Sequence, residues 1–290
     1  MSQYQKQPLS ICDLAKHLIV KRRIVNISQE DLELHLQKIG YFHLRGYLYV
    51  YKEQDFVEWG EVWSDYSLDE ELRLLLFGAI SKIEIALRSQ LDAKLSVAYG
   101  IHWYKNQDLF HTGYDNARQF NANLNALRAS WLRVSNDFKR HYENNYDLNF
   151  DPPAWMMFET STLGTLSKYF SSLDNSVVEK FEIANFFGFK KSNCQVLKSW
   201  LAVLSLVRNL CAHHARVFSQ RFITIPKIPK NFPEGIESNS IFVSIFITSI
   251  LLKKVDCDDP FFEKIKDFLL RASSVQQRRM GVIKNWQQFL

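Results

Sequence analysis

The chain is short of the residues that punctuate β-rich and disulfide-held folds. Ten glycines and seven prolines in 290 residues are too few turn-formers for a sandwich or barrel of many short strands. The four cysteines, Cys12, Cys194, Cys211 and Cys257, form no C-x-x-C pair, and no Cys/His cluster has zinc-like spacing. Both facts argue against a disulfide framework and a structural metal. Reduced, mostly buried thiols in a cytoplasmic protein are the simplest reading, with no metal and no cofactor expected. The opening MSQYQKQPLS has no apolar signal region. The most membrane-like run, Ile241 to Leu252 (IFVSIFITSILL), is too short to span a bilayer, so it reads as a buried core helix and no membrane partner is expected.

A local absence is more telling. Between Ile183 and Pro233 there is no Asp or Glu, while eight cations occur: Lys190, Lys191, Lys198, Arg208, Arg216, Arg221, Lys227 and Lys230. From Asp31 to Glu71 the balance reverses, with ten acids against three bases. The basic stretch fits a polyanion such as a nucleic acid; equally, a basic half can pack near an acidic half.

What is present is helical periodicity. Segments 10–25 and 29–39 read as short helices with Ser10 and Ser28 as N-caps. The aromatic segment 40–51 reads as a turn or short extended piece. Leu72, Leu75, Leu76, Ala79, Ile80, Ile83, Ala86, Leu87 and Leu91 recur at three- and four-residue intervals, predicting a long helix over 68–99. Glu84 and Arg88 stand i,i+4 on it and can pair. Further helices are expected at about 114–144, 154–172, 176–187 and 192–221. Prolines extend 223–233, and helices at 237–255, 259–273 and 275–288 close the chain. The fold class is all-α: an N-terminal helical lobe over 1–60, a helical body over 61–235, and a C-terminal helical extension over 236–290 packed on it.

Within the motif helix the run Arg208-Asn209-Leu210-Cys211-Ala212-His213-His214 concentrates groups that can hold a phosphate and move protons beside it. On an ideal helix His213 falls on a polar arc with Asn209 and Arg216, as candidate proton-transfer group. His214 falls among Val207 and Leu210, as a structural histidine. Arg208 falls in the apolar arc and needs a partner: a carboxylate such as Glu84, a subunit interface or a bound phosphate. Arg208 and His213 stand about 140° apart with a rise of roughly 7.5 Å, a poor grip on one phosphate from one chain. Two copies related by a two-fold axis make a better site, so a homodimer is expected.

The same residues carry a family resemblance. Arg208–Arg216 (RNLCAHHAR) is similar to the R-N-x-x-A-H-H-x-R signature of the Abi-like abortive infection proteins, AbiD and AbiF, a branch of the HEPN superfamily. Lys6–Ser10 (KQPLS), Ile39–Tyr47 (IGYFHLRGY), Ile83–Arg88 (IEIALR) with Tyr99–Tyr104 (YGIHWY), and Pro152–Trp155 (PPAW) with Leu163–Leu166 (LGTL) resemble further segments in family order. His43 stands where Arg is frequent and Arg45 where Ser is frequent; neither position is expected to touch the chemistry. The resemblance implies a HEPN-like helical bundle and a metal-independent endoribonuclease in phage defence. Arg208 would stabilise the phosphorane, Asn209 orient it, and His213 serve as acid and base, leaving 2′,3′-cyclic phosphate ends. His214, Glu84 and Arg88 would support the site, and Lys190, Lys191, Lys198, Arg216, Arg221 and Lys227 would bind RNA. The alternative is a non-catalytic protein that holds a structured small RNA in a basic cleft.

Overall fold

The computed structural model describes residue 5 and residues 7–147, 151–190 and 193–290; the expectations for Lys6, Lys191 and the helix start at Ser192 lie outside the described residues. Local signals set the first elements. Ser10 accepts from Asp13 N and opens α1 (Ile11–Lys21); Ser28 accepts from Asp31 N and opens α2 (Gln29–Ile39). Gly40, at φ 72°, ends α2. The aromatic segment then corrects the sequence reading: Tyr41–Leu48 is a helix, α3, followed by a 3-10 turn over Tyr49–Tyr51. Leu44, Tyr47, Leu48 and Tyr51 are its buried positions, a three-and-four spacing that glycines at 40 and 46 obscured. Two-residue strands, β1 (Ile24–Val25) and β2 (Val57–Glu58), pair in parallel.

The spine is α4 (Trp59–Tyr99), 41 residues and about 60 Å long. It starts nine residues before the apolar stripe predicted at Leu68, because Trp59, Val62 and Tyr66 already face a core. That core, built on Ala15, Leu18, Leu32, Leu36, Leu44 and Tyr47, belongs to the N-terminal helices; from Leu72 onward the spine serves a second, larger core. The segment 114–144 divides into α5 (Tyr114–Arg133) and α6 (Asp137–Asn145), since Asn136 caps a new helix. Likewise 154–172 divides into α7 (Ala154–Glu159) and α8 (Leu163–Ser172) at the Thr162 cap. Next come α9 (Asn175–Lys180), α10 (Ile183–Phe186) and α11 (Cys194–Ala212).

Alongside α4, α11 runs antiparallel: Arg208 faces Phe77 and Glu84, while residues 217 and 218 reach back to Asp69. On its other side α8 approaches closely, and a Cβ on Gly164 would stand 3.2 Å from Ser205 Oγ. α12 (Ile241–Val255) buries eleven of its fifteen residues, which its all-round apolar surface requires. α13 (Phe261–Arg271) and α14 (Ser274–Met280) complete an all-α fold. Among the described residues no helix is long and apolar enough to cross a membrane.

Candidate active site

The motif lies where α11 stops. His213 is the C-cap, and His214 takes the left-handed conformation at φ 55°. Ala215 N donates to Leu210 O at 2.9 Å and His214 N to Cys211 O at 3.2 Å, the paired bonds of a Schellman termination. Glycine is usual at the left-handed position; an L-residue there costs roughly 1–2 kcal/mol. Two sequence expectations are therefore corrected. The helix ends nine residues before Arg221, because no glycine announced the termination. His214 is exposed, because helical phasing no longer applies past the cap. His213 and Asn209 are exposed as well. Neither imidazole makes a hydrogen bond, ion pair or ring contact among the described residues.

Arg208 has the opposite character. Its Nε is buried and lies 3.6 Å from Glu84 Oε2, a Coulombic contact rather than a hydrogen bond. Its Cζ sits 5.4 Å from the Phe77 ring centroid. The side chain is 24% exposed, and its Nη atoms make no hydrogen bond among the described residues. Glu84 is shared: Arg88 Nη2 donates to Glu84 Oε1 at 3.0 Å, and Arg88 also reaches Glu159 Oε2 and Ser161 O, each at 3.3 Å. Burial raises the Glu84 pKa, opposed by Arg208 and Arg88. The arginine is thus braced from beneath, with its donor end open.

A second buried carboxylate, which the sequence reading missed, anchors the chain leaving the motif. Asp69 Oδ1 accepts from Val217 N at 3.0 Å and Phe218 N at 2.6 Å; Oδ2 accepts from Tyr47 Oη at 2.6 Å and from Arg73. Burial raises the Asp69 pKa, with Arg73 acting against it. One side chain therefore joins α3, α4 and the segment after His214. The i,i+4 pair Asp69 and Arg73 was the available signal, but no spacing connects it to residues 217 and 218. His43 on α3 also belongs to this neighbourhood. Burial lowers its pKa, Arg73 and the His214 imidazole push the same way, and Asp69 and Glu70 oppose them.

The basic stretch does not form one face. Lys198 is buried, with Nζ donating to Leu173 O at 2.6 Å and Asn175 Oδ1 at 3.0 Å, so it offers nothing to RNA. Burial lowers its pKa to about 8. Arg221 is exposed but paired with Glu237 at 2.8 Å. Lys227 bonds through its backbone to Ser199 Oγ and Trp200 Nε1, each at 2.9 Å. That anchors it beside Ser199, some 21 Å along α11 from His213. Lys190, also exposed, precedes the start of the same helix. Arg216 alone stays near the motif: its Nε would be 3.5 Å from a Cβ on Gly46, its Cζ sits 5.9 Å from the Tyr47 ring centroid, and its buried Nη1 has no hydrogen-bond partner among the described residues.

Among the described residues no group of three or more His, Cys, Asp or Glu could hold a metal ion. The chemistry on offer is a braced guanidinium with free donors and two unengaged imidazoles at one helix end. No curated protein and no solved structure matches the chain. A family model does: the Abi-like protein family matches residues 34–219, and the chain belongs to that family.

Proposed function

We propose that this Abi-like protein is a HEPN-type, metal-independent endoribonuclease acting in abortive infection, the form of phage defence that its family name denotes. In this reading 61–235 is the HEPN-like body in the cytoplasm, with 1–60 as a lobe and 236–290 as an extension on it. The observation that carries the reading is the state of Arg208. It is held against Glu84 and Phe77, yet its Nη atoms make no hydrogen bond among the described residues, and the exposed His213 follows five residues later. A half-buried cation with an open donor end suits a developing dianionic phosphorane better than a closed ion pair does.

Cleavage needs a base at one apex of the phosphorus and an acid at the other. The ribose 2′-hydroxyl loses its proton to an imidazole and attacks phosphorus; the P–O5′ bond breaks, and the leaving oxygen takes a proton from a second imidazole. A 2′,3′-cyclic phosphate and a 5′-hydroxyl result. Arg208 and His213 diverge along their helix, so one chain supplies half of this arrangement. Two copies about a two-fold axis supply both imidazoles and both guanidiniums.

The test is cleavage of single-stranded RNA, with end-group analysis, by wild type, Arg208→Ala and His213→Ala. Losing a general acid-base group is expected to slow cleavage by about 10²–10⁴-fold. Undiminished cleavage by both variants refutes the assignment. RNA bound tightly but left intact by wild type would instead identify an RNA-holding module.

A further inference from the structure

We infer that the outward face of α3, with the cavity beyond its end, is a docking track for single-stranded RNA leading into the motif. The inference rests on the ribonuclease reading and adds where the strand lies and what holds it.

The first observation is a stripe of rings in water. The buried face of α3 is Leu44, Tyr47 and Leu48. The opposite face carries Phe42, Arg45 and Tyr49, at helical spacings of three and four. Phe42 is 87% exposed and Tyr49 57%, and Arg45 between them is exposed too. Aromatic rings in water, separated by a guanidinium, cost solvation without serving the core. They are the platform on which unpaired bases stack while cations follow the backbone.

The second observation is independent of the first. At the far end of α3, Lys52 Nζ lies 4.7 Å from the Tyr49 ring centroid. Lys52, which also pairs with Glu53 Oε1 at 3.4 Å, lines a cavity of about 260 Å³ with Lys21, Arg22 and Arg23, a lining that holds one carboxylate, Asp55. Arg23, the residue after the Arg22 cap of α1, takes the left-handed conformation that commonly ends a helix, at φ 53°, and is exposed. Four cations round one concavity make a phosphate-sized anion site. Lys21, Arg22 and Arg23 are consecutive at the end of α1, and the fold brings Lys52 to them.

The third observation joins the track to the chemistry. Arg216 lies against Gly46 of α3, with Nη1 buried and without a hydrogen-bond partner among the described residues, and His43 is within electrostatic reach of His214. One edge of α3 therefore borders the motif, and the other end of its exposed face opens on the basic cavity. A strand stacked on Phe42 and Tyr49 would have the basic cavity beyond one end of α3 and Arg216 at its edge, on the side of the motif.

The test measures binding of a labelled single-stranded RNA of mixed sequence to full-length protein in a His213→Ala background, which leaves the RNA intact. Removing both rings (Phe42→Ala with Tyr49→Ala) is expected to weaken binding at least about tenfold. A fully paired duplex of the same sequence should be insensitive to that change. Neutralising Lys21, Arg22 and Lys52 with glutamine should flatten the slope of log affinity against log salt by about 2, at about 0.7 per phosphate contact. All these side chains are exposed, so circular dichroism should be unchanged. Wild-type cleavage with an unaltered affinity in both variants overturns the track and leaves the ribonuclease reading standing. Absence of both cleavage and RNA binding in wild type overturns both. If the ring variant dissociates a dimer while RNA affinity holds, the face is a protein interface and the inference is wrong.

Discussion

Replacing His214 by glycine removes an imidazole from the candidate site and a left-handed strain from the backbone, so its effects on activity and stability run in opposite directions. The strain is located: φ is 55° at the left-handed position of the Schellman termination, and the bonds from Ala215 N and His214 N hold it there. An L-residue in that conformation costs roughly 1–2 kcal/mol, and glycine avoids most of it. Against this, glycine enlarges the unfolded ensemble by about 0.4–1 kcal/mol. The exposed ring, with no hydrogen bond, ion pair or ring contact, adds little to either side. The balance is a stabilisation of about 0.5–1 kcal/mol, or about 1–4 °C in Tm for a chain of this size. His214→Ala keeps the strain and is expected to leave the stability within about ±0.5 kcal/mol of wild type. Thermal unfolding of the three proteins by circular dichroism, beside cleavage of one RNA, reads both effects. Glycine should give the highest Tm and a cleavage rate no better than alanine's. A glycine variant less stable than wild type would show that the ring carries packing that outweighs the strain. A glycine variant with full activity would remove His214 from the site.

Asp69→Asn is expected to cost about 3–5 kcal/mol, because Arg73 keeps its charge in a buried place and, with Tyr47 Oη, meets an amide NH2 where Oδ2 had accepted. Urea unfolding measures it, and a loss below about 1 kcal/mol would contradict the clamp. Lys198 gives a pH signature. Its folded pKa of about 8 lies below the ordinary 10.5, so between these values the unfolded chain holds a proton that the folded protein has released. Stability should therefore rise with pH across that window by up to on the order of 3 kcal/mol relative to Lys198→Met. Parallel pH profiles for the two proteins would show that the amine stays charged when buried.

The parts of the fold that depend on neighbours in sequence were legible. Ser10 and Ser28 cap their helices because a hydroxyl three residues before a free backbone N–H is a local fact. The apolar stripe from Leu72 to Leu95 predicts its helix because a 3.6-residue period needs no partner to be read. Reading failed where local pattern and tertiary context diverge. Val217 and Phe218 continue the apolar phase of α11, yet they lie past its end, buried by a turn that puts histidine where glycine is usual.

The candidate site divides along the same line. Sequence by itself determined which groups are present: Arg208, Asn209, His213 and His214 in one run, and Glu84 with Arg88 on another helix. It also determined that an arginine among apolar neighbours must find a counter-charge, since a guanidinium cannot give up its proton. Only the tertiary structure decided which carboxylate answers. The antiparallel packing of α11 on α4 brings Glu84 under Arg208, and Asp69 to the backbone at 217 and 218. It also decided which cations meet water, burying Lys198 and setting Lys21, Arg22, Arg23 and Lys52 round one cavity. Period and propensity act over a few residues, whereas the side of a charge that faces solvent is set by elements from 23 to 149 residues apart in the chain.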